Sequence, residues 1–577
     1  MPPSDENTPF ADWPGAFASR ACPGSGKTFA VAARLARKLE SWQLRYQGIA
    51  TLSFTNVAKD EISKIAQREF RVAMPIEYPH FIGTIDSFID RFIFLPFGHL
   101  AMGIGQRPKL VGPPHDDWEP IGGHGFYWRN TECFRAKCKL NDFSYDVHGN
   151  LFNLSPRNHF LRCQSHHRAC ISEKNKFTSA GFATQIDANY FAMRVLEQNP
   201  VLRNALAYRF PCIILDEAQD TSDIQMKILD LFKEGGCRDM AMVGDPDQAI
   251  YEWRNASPQV FSIKCVECAP NAPRLMDNRR SSQNICDFFA KISSLEVPPN
   301  AVNPEHLAYP LVPQIWEIDE NDPQAVISEF VDLCREHGIS APGDIAILTR
   351  GRELSANLAG TTAHRALPDP WNDRESKNIA RGKYLFDKGK FAEGFHLIER
   401  TVFRIDHNGQ VEDIVTMRRA IAEVGIIPWR LKISSLLAGL PNASGQNNLC
   451  DWIVSANEFL SFLLPETRLT IKRDRSPNYY STLIFDDVFG TQTNAQSERY
   501  NLGTIHSVKG ETFMAVLLII KHTGGSGQTY ETILNDNISE NEELRNIYVA
   551  ITRPRRLLVI AVPPRDIDVW KSRFEAM

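Results

Sequence analysis

Residues 21–28 read Ala-Cys-Pro-Gly-Ser-Gly-Lys-Thr. A glycine-rich turn closed by Lys-Thr is suited to holding phosphate groups. Gly24 and Gly26 let backbone N–H groups turn toward an anion. Lys27 can reach the outer phosphates of a nucleoside triphosphate, and the Thr28 hydroxyl can ligate Mg²⁺. Ala21 replaces the first glycine of the general pattern, and Cys22, Pro23 and Ser25 complete the loop. A second cluster, Leu-Asp-Glu-Ala-Gln-Asp, occupies residues 215–220. Asp216 is a second candidate Mg²⁺ ligand, and Glu217 a candidate to orient and deprotonate an attacking water. Either piece alone would suit a turn or an acidic helix start. Together they point to binding and cleavage of a nucleoside triphosphate.

These residues need rigid elements beneath them. Phe29–Trp42 has apolar residues at helical spacing, so the loop opens a helix whose N-terminus favours anions. Cys212–Asp216, after Pro211, suits a buried strand. Gly48–Phe54 and Met240–Val243 add two more apolar runs separated by helical stretches, the rhythm of a parallel sheet with crossover helices. A second set follows at Ile345–Thr349, Ala515–Ile520 and Leu557–Val562. Two long segments interrupt the rhythm, one between Phe88 and Arg209 and one from Gly351 to about residue 497. The second holds helical pieces at Met417–Val424 and Trp452–Phe462.

The chain has 577 residues, 43% hydrophobic and 23% charged, an ordinary globular balance with room for about three or four domains. No apolar run approaches the roughly 18 residues of a membrane span, so no membrane partner is expected. The opening MPPSDENTPFADW is acidic and unlike a secretory leader. Twelve cysteines, one inside the phosphate loop, suit a reducing compartment, so a cytoplasmic location is expected. The net charge of −5 means that a nucleic acid would have to meet a local basic surface.

A series of separated stretches, in order, makes the chain resemble the UvrD/Rep-like superfamily 1 DNA helicases. Besides the two above they are Ser53–Asp60 (SFTNVAKD), Gly83–Phe88 (GTIDSF), Val243–Ala256 (VGDPDQAIYEWRNA), Leu275–Ile285 (LMDNRRSSQNI), Gly503–Thr512 (GTIHSVKGET) and Glu542–Arg556 (EELRNIYVAITRPRR), the last two flanking the second sheet. The resemblance implies two RecA-like parallel-sheet P-loop domains, each interrupted by a mainly helical insertion. The expected boundaries are 1–92 with 206–270 for the first domain and 93–205 for its insertion, then 271–355 with 498–577 for the second and 356–497 for its insertion.

The resemblance also implies roles. Phe54, Thr55, Asn56 and Thr84 would touch single-stranded DNA, as would Tyr251 and Trp253 by stacking, with Arg254 linking them to the nucleotide. Thr504 and His506 would serve the same strand from the second lobe. Gln248 would sense the outermost phosphate, and Arg280 and Arg553 would be arginine fingers. Arg279 replaces the tyrosine that stacks on adenine; a guanidinium plane can stack there too. Glu511 is the candidate for the ribose, although Thr512 stands at the family's glutamate position. Asp86 replaces the family's histidine and, as an acid, is expected to avoid phosphate. The family's upstream glutamine is missing, which leaves Trp13 or Phe17 to pack near the adenine.

The implied activity is ATP- and Mg²⁺-dependent translocation on single-stranded and tailed duplex DNA, 3′→5′, with strand separation. It would serve repair or, as in compact Gabija-type antiphage proteins, act beside a nuclease partner. The alternative is a nucleotide-gated regulatory subunit of a nuclease complex with little unwinding. A relative directed at RNA is a further rival. Residues 126–176 are basic and aromatic, with nine Lys/Arg against four acids. They also hold Cys133, Cys138, Cys163, His166, His167 and Cys170, whose spacing matches no common metal motif closely. Cys265 and Cys268 read as structural. No set of acids with a following lysine marks a nuclease.

Overall fold

The computed structural model describes residues 7–575 apart from 77, 113–114, 116–142, 154–166, 251–256, 269–271, 320–321, 352–353, 356–357, 359–369, 407–420, 422, 444–447, 473–482, 490–495, 498, 523 and 525–526. The chain divides into two units, Met1–Ser355 with Glu498–Met577, and Ala356–Ser497.

Short apolar runs build the first sheet of the first unit. Its strands are β1 (Ala16–Arg20), β2 (Ile49–Ser53), β3 (Phe81–Thr84), β4 (Cys212–Leu215) and β5 (Asp239–Gly244). The spatial order is β1-β5-β4-β2-β3, with every pair parallel. Every residue of β2 and of β4 is buried, as expected of strands covered on both faces. Ser53 lies opposite Thr84 in the register, so the carboxyl ends of β2 and β3 finish side by side.

Helix α1 (Lys27–Glu40) and helix α2 (Asn56–Phe70) follow β1 and β2. Ala30, Val31 and Leu35 of α1 pack on Ile49, Cys212 and Ala241 of the sheet. Such burial is worth about 1.5–3 kcal/mol for a Val or Leu. Arg34, on the same helix, is fully buried. It donates to the carbonyls of Phe10 (2.9 Å) and Trp13 (2.7 Å) and pairs with Asp239 at 2.5 Å, which fastens the helix Asn7–Asp12 to the sheet.

The other face is covered by α3 (Gln185–Gln198) and α4 (Asp223–Glu234). Capping boxes start both, Thr184 with Asp187 and Ser222 with Gln225. Phe191, Met193 and Val195 of α3 share one core with Phe88, Ile93 and Phe94 and with Ile213, Leu215 and Met240 of the sheet. The flanks of the first interruption are therefore the sheet's own back layer, because the apolar face of α3 needs that sheet to cover it.

The second sheet lies in the same unit. Its strands there are β6 (Gln314–Glu317), β7 (Ile345–Thr349), β8 (Tyr500–Thr504), β9 (Phe513–Ile519) and β10 (Pro554–Val562). Their order is β6-β10-β9-β7-β8, again all parallel. Helix α5 (Glu542–Ile551) leads into β10. This is the mixed α/β architecture with parallel sheets that the resemblance implied.

The second unit is helical, with Arg374–Asp387, Phe391–Asp406, Ile426–Gly439 and Leu449–Leu463 around a core that includes Ile379, Val402, Ile433, Trp452 and Phe485. Among the described residues, no helix is long and apolar enough to cross a membrane.

Candidate active site

The phosphate loop runs from the end of β1 to α1. Gly24 and Gly26 have φ +70° and +84°, which costs a glycine little and any other residue more. A Cβ on Gly24 would stand 2.7 Å from the Cβ of Arg280 and 3.0 Å from Asn278 Oδ1. That closeness comes from a segment clamped across the loop. Cys22 N donates to Leu275 O (2.8 Å), Asn278 Nδ2 to Pro23 O (2.7 Å), and Arg279 N to Gly24 O (2.9 Å). Asn278 Oδ1 in turn accepts from Arg280 N at 2.8 Å and Ser281 N at 2.7 Å. Ala21, Cys22, Ser25 and Lys27 are buried, and the Ser25 hydroxyl has no protein partner among the described residues.

The carboxylates follow β4. Thr28 Oγ1 donates to Asp216 Oδ2 at 3.0 Å. Glu217 sits in the left-handed region at φ 52°, ψ 44°, a strain of about 1–2 kcal/mol for a residue with a Cβ. Its N–H donates to Asp216 Oδ1 (2.9 Å), and its carboxylate accepts from Gln219 Nε2 (2.5 Å). Burial, reinforced by the Glu217 charge, pushes the Asp216 carboxyl up to about 7. Burial would also raise Glu217, but Lys27, Lys509, Gln219 and Arg553 outweigh it and hold that carboxyl below its ordinary value. These surroundings favour the charged form of Glu217 over that of Asp216, the form that a base toward water needs.

Residues of the second lobe reach this point. Arg553, just past α5, donates from Nη2 to Gln248 Oε1 (2.8 Å) and from Nε to Val549 O (2.8 Å). Gln248 Nε2 donates to Asp245 Oδ2 at 2.6 Å. A continuous chain thus runs from the end of β5 to the end of α5. Arg280 Nη1 donates to Thr552 O at 2.9 Å. Burial and the neighbouring Arg280 push the Arg553 guanidinium down to about 9; burial and Arg555 push Arg280 down to about 10. Both remain cations at neutral pH, and a desolvated cation gains most from an arriving anion.

The structure thus brings Lys27, Thr28, Asp216, Glu217, Gln248, Arg280 and Arg553 to one cleft. It adds residues the motifs left without a role. Lys509 Nζ lies 2.9 and 2.8 Å from the two oxygens of Asp220, an ion pair joining the lobes, with Asp220 only 2% exposed. Asp220, Asp245, Gln219 and Asn278 were visible as motif letters, but nothing local announced their partners. Arg279 has Nε and Nη2 buried without a protein partner among the described residues. Glu511 is exposed on the turn after Lys509, where Gly510 has φ +95°.

The candidate DNA residues line the carboxyl ends of the strands. Thr55 Oγ1 accepts from Ala58 N (3.2 Å) and Thr84 Oγ1 from Ser87 N (3.1 Å), so both hydroxyls are helix caps. Phe54 is half-buried and Asn56 exposed. Thr504 ends β8, and its N–H donates to Ser507 Oγ at 3.1 Å. His506 is half-buried and bonds the backbone of Ile250; burial, then Arg350, holds its imidazole below the usual value. Tyr251, Trp253 and Arg254 lie outside the described residues, as do Cys133, Cys138, Cys163, His166 and the side chains of His167 and Cys170.

Asp86 turns to amides instead of phosphate, accepting from Gln225 Nε2 (2.7 Å) and Asn189 Nδ2 (3.1 Å). Phe17 is not an adenine platform. It is 4% exposed and packs edge-on against Phe10 inside the core. Cys265 and Cys268 are free thiols on one helix.

Comparison with known proteins follows the same line. The sequence matches the UvrD/REP helicase N-terminal domain over residues 15–100 and 156–265. It is 28% identical over 217 residues to the exonuclease/helicase subunit RexA of Streptococcus pneumoniae serotype 4 (strain ATCC BAA-334 / TIGR4), covering 32% of this chain and 18% of that protein. An ATP-dependent helicase/nuclease subunit from Streptococcus sanguinis (strain SK36) is 30% identical over 223 residues, with the same coverage. Its counterpart in Lactococcus lactis subsp. lactis (strain IL1403) is 38% identical over 107 residues, 18% of this chain and 9% of that protein. The match to the two streptococcal relatives spans less than a fifth of their length.

Proposed function

We propose, for a chain that belongs to the UvrD/Rep-like superfamily 1 class, a motor that hydrolyses ATP to move along single-stranded DNA and part the duplex ahead of it. The observation that carries this is the bridge Asp245–Gln248–Arg553, which holds Arg553 of one lobe within electrostatic reach of Glu217 of the other and so supports reading it as an arginine finger. The Gly24–Thr28 turn would bind the phosphates, Lys27 and the two arginines would offset their charge, and Glu217 would take the proton of the attacking water. The Thr28 hydroxyl and Asp216 carboxylate are hard oxygen donors 3.0 Å apart, which fits Mg²⁺. That ion would help neutralise charge on the phosphates. Arginine fingers in related NTPases are worth about 10³–10⁵ in rate.

Closure on the nucleotide would shift the edge holding Thr55 and Thr84 against that holding Thr504 and His506, giving alternate grips on a strand. Travel is expected 3′→5′. The names of the relatives, helicase/nuclease subunits, favour work together with a nuclease; repair or antiphage defence is the setting that the family resemblance implies. Strand displacement on tailed duplexes, together with ATP turnover with and without single strands, tests this. Turnover stimulated by DNA without unwinding would favour the regulatory role, and stimulation by RNA alone would exclude the DNA motor.

A further inference from the structure

The opposite edge of the first sheet carries a surface that the cleft does not use. The phosphate loop, Asp216, Thr55 and Thr84 all follow strand carboxyl ends. The residues before β2, β3 and β4 gather at the amino ends, on the order of 15 Å away at ~3.3 Å per strand residue. Three segments meet there. Gln47 Nε2 donates to Tyr208 O (2.9 Å), Gly48 N to Arg209 O (2.9 Å), and Ile49 N to His80 Nδ1 (3.2 Å). A Cβ on Gly48 would lie 1.9 Å from Pro79 O, so the glycine allows the segments to close on one another.

Three tyrosines stand out of this junction. Tyr46, Tyr78 and Tyr208 are 62%, 67% and 68% exposed. Guanidinium groups back two of them: Arg209 lies 4.9 Å from the Tyr78 ring centroid and 4.4 Å from that of Phe210, and Arg45 lies 5.5 Å from the Tyr46 centroid. Among the described residues, the charges acting on Arg209 are the Tyr78 phenol and Arg91, and the one acting on His80 is Arg209. The junction therefore sets three exposed rings beside the guanidinium groups of Arg45, Arg91 and Arg209.

We propose that this platform is a second binding surface for single-stranded nucleic acid, distinct from the edge at the strand carboxyl ends; it rests on the nucleic-acid part of the proposed function. Bases would stack on the outer faces of the tyrosines, and phosphates would meet Arg45, Arg91 and Arg209. An acidic peptide would satisfy the cations and leave the rings unused, so a strand fits the surface better. In a chain that parts duplex, such a surface gives a second strand a path of its own.

The test uses the full chain and a 16-residue oligothymidylate carrying 5-iodouracil, cross-linked by light and mapped by mass spectrometry. Two sets of cross-links are expected, one near Phe54–Asn56 or Thr84 and one at Tyr46, Tyr78 or Tyr208. The triple variant Tyr46→Ala/Tyr78→Ala/Tyr208→Ala should lose the second set, bind a second oligonucleotide at least tenfold more weakly, and keep DNA-free ATP turnover. Cross-links confined to the carboxyl edge, or unchanged in the triple variant, overturn this inference and leave the motor standing. No cross-link anywhere, with turnover indifferent to DNA, overturns both. A fluorescent oligoglutamate that binds the wild type and not the variant, without oligonucleotide cross-links at the tyrosines, reassigns the surface to an acidic protein segment.

Discussion

Lys509 and Asp220 show what the residue scale contributes. Burial pushes the Asp220 carboxyl up to about 6 even with the lysine beside it. Removing the cation leaves a buried acid uncompensated, so Lys509→Ala should lower the unfolding free energy by about 3 kcal/mol, read by urea denaturation, and Asp220→Leu in that background should recover part of the loss. Glu217→Gln should keep nucleotide affinity within a few-fold and reduce turnover by about 10²–10⁴, measured by nucleotide titration beside steady-state hydrolysis. The identities of these groups were legible because phosphate chemistry constrains short stretches of chain. Their partnerships were not, since Lys509 and Asp220 are 289 positions apart and only the packed fold pairs them. Asp86 is a further case: its departure from the family's histidine was visible, but the amides of Gln225 and Asn189 that hold it come from α4 and α3.

At the scale of elements, the turn between β1 and α1 depends on the absence of a side chain at Gly24. Gly24→Ala forces an alanine to φ +70° and drives its methyl into Arg280; nucleotide affinity should fall at least tenfold, measured by titration with a fluorescent ATP analogue. The helical segment after β3 offers a pH test. Burial pushes the Asp90 carboxyl from 3.8 to about 7, with Asp86 adding to the shift and Gln185 opposing it. A raised native value means that the folded state holds this proton longer than the unfolded one. The contribution is complete below pH 3.8 and is lost as pH rises through about 7. Asp90→Asn should accordingly stabilise the protein by about 1–3 kcal/mol at about pH 8, with the advantage vanishing near pH ~4, followed by thermal melts across that range.

Elements were readable where apolar runs were unbroken, as at Ile345–Thr349, which is β7 residue for residue. β6 (QIWE) buries only Ile315 and carries no such run, and β8 (YNLGT) mixes Asn and Gly into its length. β10 begins three residues before its apolar part because Arg555 and Arg556 sit half-buried at its mouth. α1 starts at Lys27 instead of Phe29 because Gly26, in the left-handed region, is its cap.

For the whole molecule, the claim is that two parallel sheets of one unit share a single nucleotide, each contributing part of the machinery. Gly24 against Arg280, Gln248 against Arg553 and Asp220 against Lys509 are three independent crossings between them. On the proposed function, such a cleft would make hydrolysis depend on closure and leave binding largely to the phosphate loop. The most direct measurement is ATP turnover by Arg553→Ala in the presence of single-stranded DNA, with nucleotide affinity measured on the same preparation. The account predicts affinity within a few-fold of wild type and turnover reduced by about 10³ or more; turnover at the wild-type rate would contradict it.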